Sequence, residues 1–155
     1  MDLDALKVLF EDFDLSAFLP DLSGIQGWIE TVLRVAVMAG PILLLGFGLL
    51  YLMAPPKEAN YGLGYRFWWG MASLQAWQFT QKVAGFAWTG LGIGLTIVMA
   101  VCCNAFRRME MDAMTWFAGK CLLWELGLIA LSCLVIDIIV IACFDRQGYR
   151  RGTDE

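Results

Sequence analysis

The chain has 155 residues, 59% of them hydrophobic, with 11 basic against 15 acidic residues and a formal net charge of −4. Soluble domains are roughly 45–50% apolar, so this composition argues against a water-soluble globule, and the acidic balance leaves no nucleic-acid partner expected. No histidine is present, and neither a nucleophile elbow nor a phosphate-binding glycine loop can be found, so neither an enzyme nor a bound cofactor is expected.

Residues 1–22 form a first, acidic segment. Leu3, Leu6, Phe10 and Phe13 recur at helical spacing among Asp2, Asp4, Glu11, Asp12 and Asp14. That pattern fits an amphipathic helix near 2–18 lying at the membrane interface, or equally a solvated tail. The segment lacks the basic start and apolar core of a cleaved signal peptide. Pro20 closes it, and Ser23 with Gln26 fits a capping box for the next helix.

Three apolar runs follow, in a membrane domain spanning 23–144. Trp28 to Met53 carries only Glu30 and Arg34 as charges. Val83 to Ala105 carries none. Phe117 to Phe144 is interrupted only by Lys120, Glu125 and Asp137. Each exceeds the ~20 residues a helix needs to cross a ~30 Å hydrocarbon core. The fold class is therefore an all-α membrane protein, with three transmembrane helices near 24–53, 68–105 and 114–144 plus the N-terminal amphipathic helix. A soluble bundle would leave Val83–Ala105 without a polar face.

Charges inside the spans need partners or exits, because each costs a few kcal/mol at mid-bilayer. Glu30 and Arg34, four apart, can pair with each other. Lys120 can snorkel to the headgroups. Glu125 lies deeper and has no evident partner. Asp137 comes to about the depth of Arg66 if the helices run up and down, which predicts an Arg66–Asp137 pair; the alternative is a protonated Asp137 against a Ser, Thr or Trp. Gly90 and Gly94, four apart in the charge-free run, predict close helix packing, within the bundle or between copies. A homo-oligomer is expected, because a bundle this small buries little per helix.

Cys102, Cys103, Cys121, Cys133 and Cys143 all fall in or beside the spans. Their spacing matches no zinc pattern, so no metal site is expected, and they read as small apolar packing residues. Palmitoylation near a membrane face is the alternative for Cys143 or Cys102–Cys103. Lys57, Arg66, Arg146, Arg150 and Arg151 outnumber Lys7, Arg107 and Arg108 on the opposite side. That bias predicts a cytoplasmic connector and C-terminus. Residues 145–155 read as a polar tail.

The most informative stretch is 54–85, between the first two runs. Pro55-Pro56 cannot continue a helix, and Gly62 and Gly64 permit a turn. Trp68, Trp69, Trp77 and Trp88, with Tyr61 and Tyr65, suit the membrane interface. Ser73, Trp77 and Gln81 recur every four residues and so share one helix face. With Arg66 they make a polar stripe looking inward.

Pro55-Pro56, Asn60, Gly64-Tyr65-Arg66, Met71, Ser73, Trp77, Gln81-Lys82 and Gly85 together resemble the signature of the SdpI family. These are bacterial multi-pass membrane proteins named for immunity to a secreted membrane-killing toxin. Two positions depart from that pattern: Phe67 stands where the family has Thr, and Gly70 where it often has Ser. The resemblance implies a bacterial cytoplasmic-membrane protein acting in toxin immunity or signalling, whose partner is a peptide toxin or a regulatory protein. Arg66 reads first as the lock of a structural clasp, satisfying carbonyls freed by the Pro-Pro stop, with Asn60 doing likewise for the turn. Direct ligand contact by the same residues is the second reading. Two further function classes stay open: an assembly subunit joined through Gly90 and Gly94, and a small transporter or channel subunit using Glu125, Asp137 and Arg66.

Overall fold

A computed structural model describes residues 22–57 and 64–151 of the chain. The expected amphipathic helix near 2–18 and the motif residue Asn60 lie outside them. Three long helices make up the described residues: α1 (Leu22–Met53), α2 (Leu74–Ala105) and α3 (Met111–Cys143), with a 3-10 turn, Phe106–Arg108, between the last two. All three are long and apolar enough to cross a membrane. At ~1.5 Å per residue, each exceeds the ~30 Å hydrocarbon core and must tilt or protrude.

α1 is described from Leu22 and α3 from Met111, each within three residues of its expected start. α2 begins at Leu74, six residues later than expected. The reason is local: Phe67 to Ala72 close turns of their own, with Met71 N–H bonding the Phe67 carbonyl at 3.0 Å. Extended Ser73 then caps α2 by accepting from Ala76 N–H at 3.1 Å.

α1 and α2 form an antiparallel hairpin with the broadest interface, and α3 leans on both more lightly. Glycines set the hairpin spacing, although they are not the ones expected. Gly48 meets the backbone of Trp88 and Thr89, Gly85 meets Leu52, and Gly92 meets the backbone of Leu45. Gly90 and Gly94 face away, with nothing within 4 Å of where a Cβ would stand. The close-packed face of α2 thus passes through Gly85 and Gly92, seven residues or about two turns apart. Gly90 and Gly94 thus do not supply the expected close packing inside the bundle.

The core has two parts. Toward the 3-10 turn, Val37, Leu44, Leu95, Met99, Cys103, Phe106, Met114, Ala118 and Cys121 pack together. At the connector end, Tyr51, Ala84, Ile136 and Val140 gather Tyr65, Phe67, Trp69 and Phe79 around them. All five cysteines are free, and Cys103 and Cys121 pack as small apolar side chains in the first cluster. Large apolar side chains such as Ile42, Phe86, Ile97, Leu123 and Ile138 point outward, as the lipid-facing surface of a spanning bundle requires.

The expected Glu30–Arg34 pair is present, with Arg34 Nη2 2.6 Å and Nε 2.9 Å from Glu30 Oε1. The Arg34 guanidinium also lies 5.9 Å from the Phe106 ring centroid. Lys120 is exposed, as snorkelling requires. Glu125 is only 3% exposed, and its Oε1 has no hydrogen-bond partner.

Candidate functional site

The inward stripe Ser73–Trp77–Gln81 becomes the bed on which the connector lies. α1 ends with Ala54 N–H bonding the Leu50 carbonyl at 2.8 Å, and the two prolines then release the chain from the helix. The fully buried Trp77 takes up the next carbonyl, its indole Nε1–H donating to Pro56 O at 2.9 Å. Four residues along, the fully buried Gln81 carboxamide meets the returning strand of the connector. It accepts from Tyr65 N–H at 2.8 Å and donates to the Tyr65 carbonyl at 2.9 Å. One side chain thereby satisfies both backbone groups of a residue that belongs to no helix or sheet.

Gly64 makes this approach possible. Its φ of +132° is a conformation side-chain-bearing residues rarely adopt. A Cβ there would stand 2.6 Å from Trp77 Cη2. Gly70 is also tightly placed, because a Cβ would collide with Thr80, whose hydroxyl is turned back to Ala76 O at 2.7 Å. Where the signature often has Ser, the space is filled by Thr80 instead.

Tyr65 extends the clasp to the third helix. Its hydroxyl lies 2.7 Å from Asp137 Oδ1 and 3.2 Å from the Cys133 carbonyl, both on α3. Its ring stands edge-on to Trp88, with centroids 5.5 Å apart, and Trp88 Nε1–H donates to Ser132 Oγ at 3.2 Å. Burial, and then the Asp137 hydrogen bond, push the Tyr65 phenol well above its ordinary value. The sequence reading aimed Arg66 at Asp137; the group that arrives is the hydroxyl of the residue before it. A phenol reaches an acid inside the bundle without bringing a charge, whereas Arg66 itself is exposed at the rim.

A third participant is the start of the expected polar tail. Residues 144–151 double back as a hook. Asp145 N–H bonds the Tyr149 carbonyl at 2.9 Å, and Asp145 Oδ1 accepts from the N–H groups of Gln147 and Tyr149 at 2.9 and 2.8 Å. Phe144 and Arg150 form a single antiparallel bridge. Ser73, while capping α2, donates its hydroxyl to the Gly148 carbonyl at 2.7 Å. Gly148, at φ +82°, passes so close that a Cβ would stand 2.6 Å from Ser73 Cβ. The Arg146 guanidinium lies 5.5 Å from the Trp69 ring centroid. The one sequence clue was Asp145-Arg146-Gln147-Gly148, the composition of a tight turn.

The described parts of the connector, 54–57 and 64–73, therefore join the α2 start, the α3 end and the hook in one cap at one end of the bundle. It brings together Gly64, Tyr65, Ser73, Trp77 and Gln81 with Asp137. Glu125, twelve residues before Asp137, faces Gly40 of α1, and Gly90 and Gly94 lie on the outer surface of α2. A family model described as the SdpI/YfhL protein family matches residues 56–143, more than half of the chain. No curated protein and no solved structure matches the chain.

Proposed function

The chain belongs to the SdpI/YfhL family, and on that footing we propose that this membrane protein is a binding module, without catalytic activity, that recognises a peptide or protein partner at the membrane. Toxin immunity or signalling is the role this reading assigns. The observation that carries it is the pair of hydrogen bonds between Gln81 and the Tyr65 backbone. Joining two transmembrane helices needs no such device, since a slack loop serves equally well. An ordered, aromatic-lined cap presents a fixed surface, and binding to a fixed surface avoids the ordering cost a mobile loop would incur. In this reading the cap faces the cytoplasm of a bacterial cell, which the excess of Lys and Arg on its side of the bundle favours.

The test is protection. Expression in a bacterial host challenged with membrane-active peptides should shift the killing curve for at least one of them. Gln81→Ala, still membrane-inserted, should lose that shift. If no killing curve moves, the immunity role fails.

A second reading, an assembly subunit, draws on Gly90 and Gly94. Both are open on the outer face of α2, beside the exposed Phe86, Ile93 and Ile97. Small residues on an apolar face permit close approach of another helix. Crosslinking in native membranes that yields only monomer would remove this reading.

A further inference from the structure

Two grooves flank the cap, and they share a wall. The larger, of about 580 Å³, lies between the first turns of α2 and the hook. The smaller, of about 240 Å³, lies between α2 and the Pro55–Lys57 stretch. Both are lined by Gln78 and Lys82. The buried Phe144 and half-buried Phe79, with ring centroids 5.3 Å apart, give the larger groove an apolar base. Around that base stand the exposed Gln75, Gln78, Lys82 and Arg150, while Lys57 lines the adjoining groove. Among the described residues, no carboxylate lines either groove.

The depth of the pair is fixed by the sequence. Lys82 is the last charge before the charge-free run Val83–Ala105, and Phe144 ends the apolar run of α3. Just inward, Phe86 on α2 and Ile138 and Ile139 on α3 are exposed to lipid. Cations, amide donors and an apolar base thus coincide at the level of the headgroups, where a cluster of Lys and Arg attracts acidic lipid.

We infer that the paired grooves around Lys82 are a binding site for a phosphate-bearing anion, the headgroup of an acidic phospholipid. The phosphate sits against Lys82, the cation common to both grooves, Gln78 donates to its oxygens, and the acyl chains run down past Phe86. This site is separate from the clasp face, and it does not depend on the peptide-recognition reading.

Native mass spectrometry of the delipidated full-length protein tests it, with phosphatidylglycerol, phosphatidylcholine or inorganic phosphate added in turn. Phosphatidylglycerol should be retained over phosphatidylcholine, and Lys82→Gln should reduce that retention about fivefold, the effect of one lost surface cation. Lys82→Arg should keep it, and so should Lys120→Gln, which removes an exposed lysine from the N-terminal third of α3. Equal losses in Lys82→Gln and Lys120→Gln would reduce the site to general charge attraction and overturn the inference. So would equal retention of the two lipids. Inorganic phosphate bound through Lys82 without any retained lipid would overturn the headgroup assignment.

Discussion

The Gln81 carboxamide spans both the N–H and the carbonyl of Tyr65, at 2.8 and 2.9 Å, across sixteen positions of chain. Gln81 is fully buried, so its removal leaves backbone groups without a partner or a ready route to water. Each unsatisfied buried group costs ~1–3 kcal/mol, so Gln81→Ala should destabilise the cap by about 2 kcal/mol or more. Limited trypsin digestion in detergent gives the readout, with cleavage after Lys57 and Arg66 accelerated well ahead of global unfolding. Unchanged cleavage would mean that the connector is held by something else.

Glycines of this chain should separate into two classes. Gly64 combines a φ of +132° with a Cβ position 2.6 Å from Trp77, so Gly64→Ala should cost about 1–3 kcal/mol from backbone strain alone, with the collision added. Gly90 is helical and faces open space, so Gly90→Ala should be neutral or stabilise by up to ~1 kcal/mol. Thermal unfolding of the two variants in the same detergent decides it. Equal effects would refute the placement of Gly64 against Trp77.

Alkaline pH should loosen the cap through Tyr65. Its phenol is raised above the ordinary 10.0 by burial and by the Asp137 hydrogen bond. Above pH 10 the unfolded chain therefore gives up this proton while the folded chain still holds it. Its contribution to stability is complete below pH 10 and is lost as pH climbs toward the folded value. Tyr65→Phe should lower stability near neutral pH by about 1 kcal/mol, the usual net worth of one hydrogen bond, and flatten the melting curve's decline above pH 10. A Phe variant with the parent's alkaline slope would locate that slope elsewhere.

Hydropathy made the three spans legible because bilayer length is a strict requirement that composition either meets or does not. Four-residue spacing likewise exposed Ser73, Trp77 and Gln81 as one inward face. The partners of that face were hidden, because two of them, Pro56 O and the Tyr65 peptide, are backbone groups that any residue could supply. Asp137 was placed at the right depth but matched to the neighbouring Arg66, since charge complementarity is readable in sequence and a loop's side-chain directions are not. Gly90 and Gly94 misled for a related reason: four-residue spacing identifies a helix face without saying whether that face meets protein or lipid. The hook could be read only as polar, because its docking depends on a hydroxyl seventy-five positions away.

Ser73 holds two structures with one oxygen, and substitutions can part them. Ser73→Ala removes the α2 cap, worth about 1 kcal/mol, together with the hydroxyl donated to Gly148. Ser73→Asp keeps an oxygen to accept from Ala76 N–H but has no proton to offer the Gly148 carbonyl. Hydrogen exchange should thus rise in residues 145–151 for both variants, and in the first turn of α2 for Ala alone. Faster exchange in α2 with Asp, or a hook still protected in either variant, would contradict the dual role.

Glu125 contributes to no bond that would offset its burial. It is 3% exposed, its Oε1 is unpartnered, and Oε2 lies against Gly40, where a Cβ would stand 2.8 Å away. A buried polar group without a partner costs ~1–3 kcal/mol, so Glu125→Met, similar in length and apolar, should raise stability by about that amount. Gly40→Ala should be tolerated, because the end of a flexible side chain can shift by a few tenths of an ångström. Thermal unfolding of Glu125→Met tests the first claim, and proteoliposome flux bears on its meaning. A stabilised variant with unchanged flux leaves the carboxyl no part in transport, whereas a destabilised one that also loses a flux would support the small-transporter reading.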